Sequence, residues 1–227
     1  MQFSDRKSAG QLLAQRLAHL AGRSDVIVLA LPRGGLPVGY EVAQSVRAPL
    51  DIFVVRKLGV PGQDELAMGA IASGGVRILN RQVIEALGIS EPIIARVAAR
   101  EQPELERREL VYRQGRPPLE VTGKTVVLVD DGIATGSSMR AAIEAVRHLG
   151  AARVIVATPV MSRGTALEMR PEVDDLVAVL TPEEFLGVGQ WYEDFAQTTD
   201  AEVKELLERA GGEPKPTQSK PQSQPEN

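Results

Sequence analysis

Residues 127–138 read Val-Leu-Val-Asp-Asp-Gly-Ile-Ala-Thr-Gly-Ser-Ser, and this stretch decides the fold. A short apolar strand runs into two adjacent carboxylates, which are followed by a loop of small residues and then by a helix. The loop lacks large side chains, so its backbone amides can approach an anion, and its hydroxyls and the positive end of the helix add to the attraction. The loop residues are Ala134, Thr135, Gly136, Ser137 and Ser138. The stretch predicts a phosphate cradle where a strand ends.

The two carboxylates, Asp130 and Asp131, stand just before this cradle, at the strand end where ligands bind in open α/β sheets. Carboxylates beside a phosphate would repel it unless they face sugar hydroxyls or a magnesium ion. A ribose that carries a 5′-phosphate fits this arrangement. The alternative interpretation is an ordinary turn with acidic surface residues.

Composition narrows the class of protein. The chain has 227 residues, of which 43% are hydrophobic, and this is ample for a core. A net charge of −4 gives no electrostatic footprint for nucleic acid, and the absence of cysteine excludes disulfides and zinc–thiolate sites. No apolar run is long enough for a membrane span, and no signal peptide is evident. We expect a cytoplasmic protein with no nucleic-acid or membrane partner.

Strands and helices alternate along the chain, which predicts an α/β fold with a mainly parallel sheet of five strands. Apolar runs that read as buried strands lie at 25–31, 50–56, 125–129, 153–158 and 175–180. Between 57 and 124 we expect a hairpin at 67–80 and then two helices at 81–113, separated at 90–92, with a further break at Pro103. The second helix carries many charges, Arg108 among them, and is expected to be a solvated surface or a subunit contact.

Two further segments follow predicted strands. Arg33, Gly34 and Gly35 close the first strand, where the glycines permit close backbone approach and the arginine fork suits phosphate oxygens. A plain turn is the alternative. Arg56 and Lys57 end the second strand before a Gly/Pro-rich stretch, which predicts a mobile anion-binding loop. The alternative there is two exposed charges.

The stretch 127–138 resembles the phosphoribosyl-pyrophosphate loop of type I phosphoribosyltransferases, and the segments at 31–39 and 55–62 are similar to that family's pyrophosphate loop and flexible-loop segment. The resemblance implies that the cradle holds the 5′-phosphate and that Asp130 and Asp131 hold the ribose hydroxyls and Mg²⁺, directly or through water. Arg33 and Lys57 would act on the pyrophosphate, with Asp131 as the third catalytic residue. In that family the loop at 31–39 often contains a non-proline cis peptide, and an aliphatic residue usually stands where this chain has Gly132.

The resemblance also implies a hood, a small cap over the site, at about 181–200, where an aromatic side chain stacks on the acceptor. The candidates are Phe185, Trp191 and Tyr192, and the alternative is that these side chains pack the hood against the core. Ala134 replaces an aspartate that serves the base in 6-oxopurine members, so those acceptors are disfavoured. The chain looks most like an uncharacterised bacterial branch of the family.

We therefore expect one domain at 1–210, with a helical insertion at about 81–113 and a disordered tail at 211–227. The expected reaction is transfer of a 5-phosphoribosyl group from phosphoribosyl pyrophosphate to a nitrogenous acceptor, a nucleobase. Both a monomer and a homo-oligomer stay open. Two alternatives stay open: a regulatory protein that binds the donor without catalysis, and a hydrolase or phosphorylase of a phosphoribosyl compound.

Overall fold

A computed structural model describes residues 2–113 and 116–211, apart from the side chains of residues 64 and 65. The strands are β1 Val26–Ala30, β2 Leu50–Ile52, β3 Val55–Val60, β4 Gln63–Ala72, β5 Val76–Leu79, β6 Thr125–Val129, β7 Arg153–Val160 and β8 Asp175–Leu180. The helices are α1 Arg6–Arg16, α2 Gly35–Val46, α3 Arg81–Leu87, α4 Glu91–Arg113, α5 Ser137–His148, α6 Arg163–Met169 and α7 Asp200–Gly211. The predicted tail lies outside the described residues except for Gly211, which ends α7.

The large sheet is parallel and has the order β2-β1-β6-β7-β8. Its central strands β1 and β6 are buried at every position, because helices cover both faces. Alternate residues therefore enter two cores: Val28 and Val127 face the side of α1, α2 and α7, whereas Leu29 and Leu128 face α5 and α6. The prediction of a five-stranded α/β sheet flanked by helices is confirmed.

The second predicted strand is wrong in its extent. β2 ends at Ile52, and the chain then leaves the parallel sheet and forms β3 of a separate antiparallel sheet with the order β3-β4-β5. Ser73, which is fully buried, fixes the point where the chain leaves the sheet. Its hydroxyl accepts a hydrogen bond from Val54 N–H at 3.0 Å, and its own N–H donates to Val54 O at 2.9 Å. The segment expected to be a mobile loop is thus a paired strand and a tight turn.

The helical segment at 81–113 forms as two helices, α3 and α4, but the further break predicted at Pro103 is wrong. α4 continues through the proline because one face is buried on both sides of it, at Val97 before and at Leu105 after. This face packs on β3, β4 and α7, and the burial outweighs the loss of one backbone hydrogen bond.

The chain's N-terminal segment and the hood pack together. Phe3 N–H donates to Trp191 O at 2.8 Å, and Phe3 and Tyr192 form a small core with Val160. Asp5 caps α1 by accepting from Ser8 N–H. No helix among the described residues has both the length and the apolar character that crossing a bilayer requires.

Candidate functional site

The phosphate cradle lies between the end of β6 and the first turn of α5. Gly136 has φ +76°, and a Cβ there would lie 2.7 Å from Met169 Cε, so only glycine fits without displacement. The loop residues line a cavity of about 320 Å³ together with Lys57, Asp130 and Val188. The structure thus brings the predicted cradle, one of the acids and Lys57 into one cavity.

Two carbonyl groups of the cradle are held from outside the cavity. Thr165 Oγ1 of α6 donates to Ala134 O at 2.6 Å, and Arg140 Nη1 of α5 donates to Thr135 O at 2.9 Å. Arg140 is itself fixed by carboxylates of Glu168 and Glu172. Carbonyl oxygens would repel an anion, so engaging them elsewhere leaves amide and hydroxyl donors to dominate the inner surface.

The acid pair is held in a defined arrangement. Asp131 N–H donates to Asp130 Oδ1 at 2.9 Å, and Asp131 Oδ2 accepts from Arg6 Nε at 2.7 Å. Burial, and then the charge of Asp131, raise the pKa of the Asp130 carboxyl well above its ordinary value. A hydroxyl group or a cation placed against Asp130 would therefore stabilise its charged form.

Arg6, at the first position of α1, is a site residue that the sequence analysis missed. Besides Asp131, it donates to Ala196 O at 2.6 Å, and its guanidinium carbon lies 4.0 Å from the centroid of the Phe195 ring. It therefore joins the acid pair to the hood. No local pattern could have revealed it, because Arg6 and Asp131 are 125 residues apart.

The Arg-Gly-Gly turn is in direct contact with the acid pair. β1 and β6 are paired in parallel register, so the two loops leave the same edge of the sheet. A Cβ on Gly34 would lie 2.0 Å from Asp131 Oδ2, and one on Gly35 would lie 2.7 Å from Val129 O. Both glycines are thus required by close approach. The peptide bond between Pro32 and Arg33 is cis.

Two predicted cations of the site, Arg33 and Arg56, have acidic neighbours. Arg33 Nη1 lies 3.5 Å from Asp200 Oδ1 of α7, and Asp200 also accepts from Tyr112 Oη at 2.6 Å. That hydrogen bond, with nearby arginines, lowers the pKa of Asp200. Arg56 Nη2 lies 2.5 Å from Glu101 Oε2 of α4. Helices α4 and α7 therefore contribute carboxylates to the side of the site where the predicted cations lie.

The hood places one aliphatic side chain in the cavity. Val188 takes the space of a side chain at position 132, since a Cβ on Gly132 would lie 2.3 Å from Val188 Cγ1. Its presence gives a physical reason for glycine here: the aliphatic group comes from the hood and not from the loop.

The three predicted aromatic residues lie in two different environments, one in the core and two at a cavity. Tyr192 is 4% exposed, packs against Phe3 and Phe195, and donates through Oη to Asp131 O at 2.5 Å. It supports the acid pair from the core, so its prediction as a stacking surface is wrong. Phe185 and Trp191 stack on each other with ring centroids 6.4 Å apart, and they line a different cavity of about 600 Å³.

Magnesium would find two carboxylate residues at this site. No group of three or more His, Cys, Asp or Glu side chains that could hold a metal occurs within residues 2–113 and 116–211. Mg²⁺ is commonly bound by one or two carboxylates together with substrate phosphates and water, and the acid pair fits that donor set. Because Asp131 is engaged by Arg6, Asp130 is the better placed of the two.

Comparison with known proteins gives a consistent result. The family model of the phosphoribosyl transferase domain matches residues 6–186. The crystal structure of TT1426 from Thermus thermophilus superposes with a TM-score of 0.85 and 41% sequence identity, covering 93% of this chain and all of that one.

Two curated relatives are matched over only part of their own length. A Mycobacterium tuberculosis protein, named provisionally as a phosphoribosyl transferase, is 47% identical over 208 residues. This is 92% of the present chain and 47% of the relative, so the chain spans about half of that protein's length. The bifunctional protein PyrR of Haemophilus ducreyi is 31% identical over 106 residues, covering 44% of this chain and 59% of that protein.

Proposed function

The chain belongs to the phosphoribosyltransferase family, and on that premise we propose that it transfers a 5-phosphoribosyl group from phosphoribosyl pyrophosphate to a nitrogen atom of a nucleobase. One observation carries the proposal: the carboxylate of Asp130, the cradle at 134–138 and Lys57 border the same cavity. A phosphate and a sugar attached to it would thereby meet complementary groups at once.

Each part of the donor meets residues of suitable charge. The 5′-phosphate lies in the cradle formed by Ala134 to Ser138, at the N-terminal end of α5. Asp130 and Asp131 accept hydrogen bonds from the ribose hydroxyls. The pyrophosphate faces Arg33, Gly34 and Gly35, together with Arg56 and Lys57 of β3. If Mg²⁺ binds, Asp130 and Asp131 would hold it, directly or through water, and it would supply positive charge to offset that of the donor phosphates.

The reaction breaks the bond between ribose C1 and the pyrophosphate oxygen and forms a bond between C1 and the acceptor nitrogen. Negative charge grows on the leaving pyrophosphate while positive charge grows on the ribose. Arg33 and Lys57 stabilise the former, and this interaction is stronger in the transition state than in the ground state. Asp131, held by Arg6, keeps the ribose in the orientation that the acceptor must meet.

The acceptor meets an apolar wall at Val188 and a cradle that has Ala134 in place of an acidic residue. A base that needs a carboxylate beside its ring nitrogen is therefore disfavoured, and 6-oxopurines are of this kind. We retain Phe185 and Trp191 as acceptor contacts only for an acceptor that reaches from the cradle cavity to theirs, since the structure lines the two cavities with different residues.

A second candidate is a regulatory protein that binds the donor without transferring it. The partial similarity to a protein named as bifunctional favours keeping this candidate. Lys57 at the cavity fits both candidates, because each must bind the pyrophosphate of the donor, and only transfer of the phosphoribosyl group to a base separates them.

The two candidates are separated by a screen of nucleobases with labelled phosphoribosyl pyrophosphate and Mg²⁺, read as nucleotide formed and pyrophosphate released. We expect both products in equal amounts with one base or a narrow set. Asp131→Asn should abolish or greatly reduce them, and Asp175→Asn, the same change at the opposite edge of the sheet, should not. Donor binding by calorimetry without product from any base would favour the regulatory candidate, and no donor binding would refute both.

A further inference from the structure

A second cavity adjoins the phosphate cradle. It has a volume of about 200 Å³ and lies between Pro32 of the Arg-Gly-Gly turn and the β2–β3 segment. Asp130 and Ser138 border both this cavity and the cradle cavity, so the two cavities are adjacent. A ligand whose phosphate occupies the cradle can therefore extend a second group into the smaller cavity.

Two arginines line this second cavity. Arg56 comes from β3 and was expected from the sequence, whereas Arg108 comes from α4, the helix expected to be a solvated surface or a subunit contact. Arg108 is not on the solvent face of α4, since its side chain is only 26% exposed. Asp130 also lines this cavity and Glu101 pairs with Arg56, so Arg108 is the guanidinium that adds positive charge for an anion there.

The hydrogen bonding of Arg108 leaves its outer nitrogens available. Its Nε donates to Glu104 Oε1 at 2.7 Å, one helical turn back, and this is its only hydrogen bond within the described part of the chain. The ion pair therefore orients the guanidinium from the Nε side and leaves both Nη groups to a ligand. Such a planar fork matches two phosphate oxygens.

We propose that Arg108 is a donor-binding residue that α4 contributes, and that its Nη groups contact the pyrophosphate end of phosphoribosyl pyrophosphate in the second cavity. The proposal rests on the proposed function for the identity of the ligand. Its own content is the ligand class, a diphosphate monoester, and a binding residue outside the three segments identified from the sequence.

The neighbouring Arg107 provides a matched control. It binds the same carboxylate, with Nε 2.7 Å from Glu104 Oε2, and its Nη1 lies 3.7 Å from Asp200 Oδ2. Its side chain is 50% exposed and does not line the cavity. If Arg108 served only to pair with Glu104, replacing either arginine would have the same effect on ligands. If Arg108 binds pyrophosphate, only the replacement of Arg108 lowers the affinity for pyrophosphate.

The test is calorimetric titration of the 227-residue chain and of its Arg108→Gln and Arg107→Gln variants with inorganic pyrophosphate, ribose 5-phosphate and phosphoribosyl pyrophosphate. We expect Arg108→Gln to lower the affinity for pyrophosphate and for phosphoribosyl pyrophosphate about tenfold, or about 1.4 kcal/mol. The affinity for ribose 5-phosphate should not change. Arg107→Gln should match the unaltered protein for all three. Equal losses in the two variants, or an equal loss for ribose 5-phosphate, would overturn the proposal.

Failure of the proposed function gives a different result. If the unaltered protein binds inorganic pyrophosphate but not phosphoribosyl pyrophosphate, the donor assignment is refuted, while the Arg108 comparison with pyrophosphate still decides whether this residue belongs to an anion site. If Arg108→Gln does not fold, Arg108→Lys takes its place. A charge without the fork should weaken pyrophosphate about threefold, and affinity equal to that of the unaltered protein would refute a role for the fork.

Discussion

Arg6 Nε donates to Asp131 Oδ2 over 2.7 Å, so the first residue of the first helix fixes the second acid of the pair at the end of β6. Both side chains are mostly buried, with 12% and 14% of their surface exposed. Without Arg6, two adjacent carboxylates would face each other with little solvent to screen them. The position of the acid pair thus depends on a contact that closes only when the N-terminal segment has docked.

Arg6→Gln should lower the free energy of unfolding by about 2 kcal/mol, because it leaves a mostly buried carboxylate without its cation. It should also weaken ribose 5-phosphate, since Asp131 is no longer held in place. Urea unfolding and calorimetry measure the two effects. Arg16→Gln, in the last turn of the same helix at an exposed position, is the control and should change neither. Equal effects in the two variants would show that only net charge matters.

Asp130→Asn should stabilise the ligand-free protein at high pH. A raised pKa in the folded state means that the favourable contribution of Asp130 is fully present below its unfolded value of 3.8 and is lost as the pH rises through the folded pKa. Asparagine has no charge to bury, and its side-chain oxygen can still accept from Asp131 N–H. The variant should therefore be more stable than the unaltered protein at pH 8, and the gain should shrink towards pH 4.

Thermal melts across this pH range provide the measurement. Asp175→Asn, at a partly exposed strand start, should show no gain that depends on pH in this way. A constant difference between Asp130→Asn and the unaltered protein from pH 4 to pH 8 would contradict the assignment of a raised pKa.

Gly132→Ala should destabilise the protein by about 1–3 kcal/mol, because the new Cβ would overlap the side chain of Val188. Val188→Ala removes the obstructing methyl groups, so the double variant should recover most of the loss. A double-mutant cycle by urea unfolding measures this coupling. Additive losses would mean that the two side chains do not compete for one space. Gly164→Ala, where a Cβ meets nothing within 4 Å, is the control for the glycine change alone.

Lys57→Ala should weaken phosphoribosyl pyrophosphate by about tenfold or more and should barely change the affinity for ribose 5-phosphate. Lys57 lies at the cavity, and a charged hydrogen bond to a phosphate contributes about 1.5–3 kcal/mol. Turnover, if present, should fall further than donor affinity, because charge on the pyrophosphate grows in the transition state. Lys7→Ala at the exposed start of α1 is the control. Equal losses for both ligands would remove Lys57 from the pyrophosphate side.

The sequence was sufficient for features that are local along the chain. The strand, acid pair and cradle at 127–138 are contiguous, and each part constrains its neighbours, so the sheet and the strand–loop–helix order at its edge could be predicted. The chain's exit from the sheet after β2 could not, because 52–55 is continuously apolar and the exit depends on a hydrogen bond to Ser73. The continuation of α4 through Pro103 depends likewise on burial against other elements.

The residues that sequence analysis missed share one property. Arg6, Val188, Asp200 and Arg108 all lie outside the three donor-binding motifs. Val188 and Asp200 fall within the segment expected to form the hood, where only aromatic side chains were candidates. Tyr192 was noticed for its ring, but its neighbours in the fold turn that ring into the core. Side-chain contacts of this kind are decided by the packing of whole elements, which periodicity and motif spacing do not report.

The two hydrogen bonds between Ser73 and Val54 separate the β3–β4 hairpin from the parallel sheet. The β3–β4 hairpin starts and finishes at a single buried point, so its ends are already joined before its length matters. Adding or removing residues at the hairpin tip then changes only the closure entropy of a loop, which grows slowly with length. Natural variation can thus remodel the arm that carries Arg56 and Lys57 while the parallel sheet beneath it, and the cradle at its edge, stay in register.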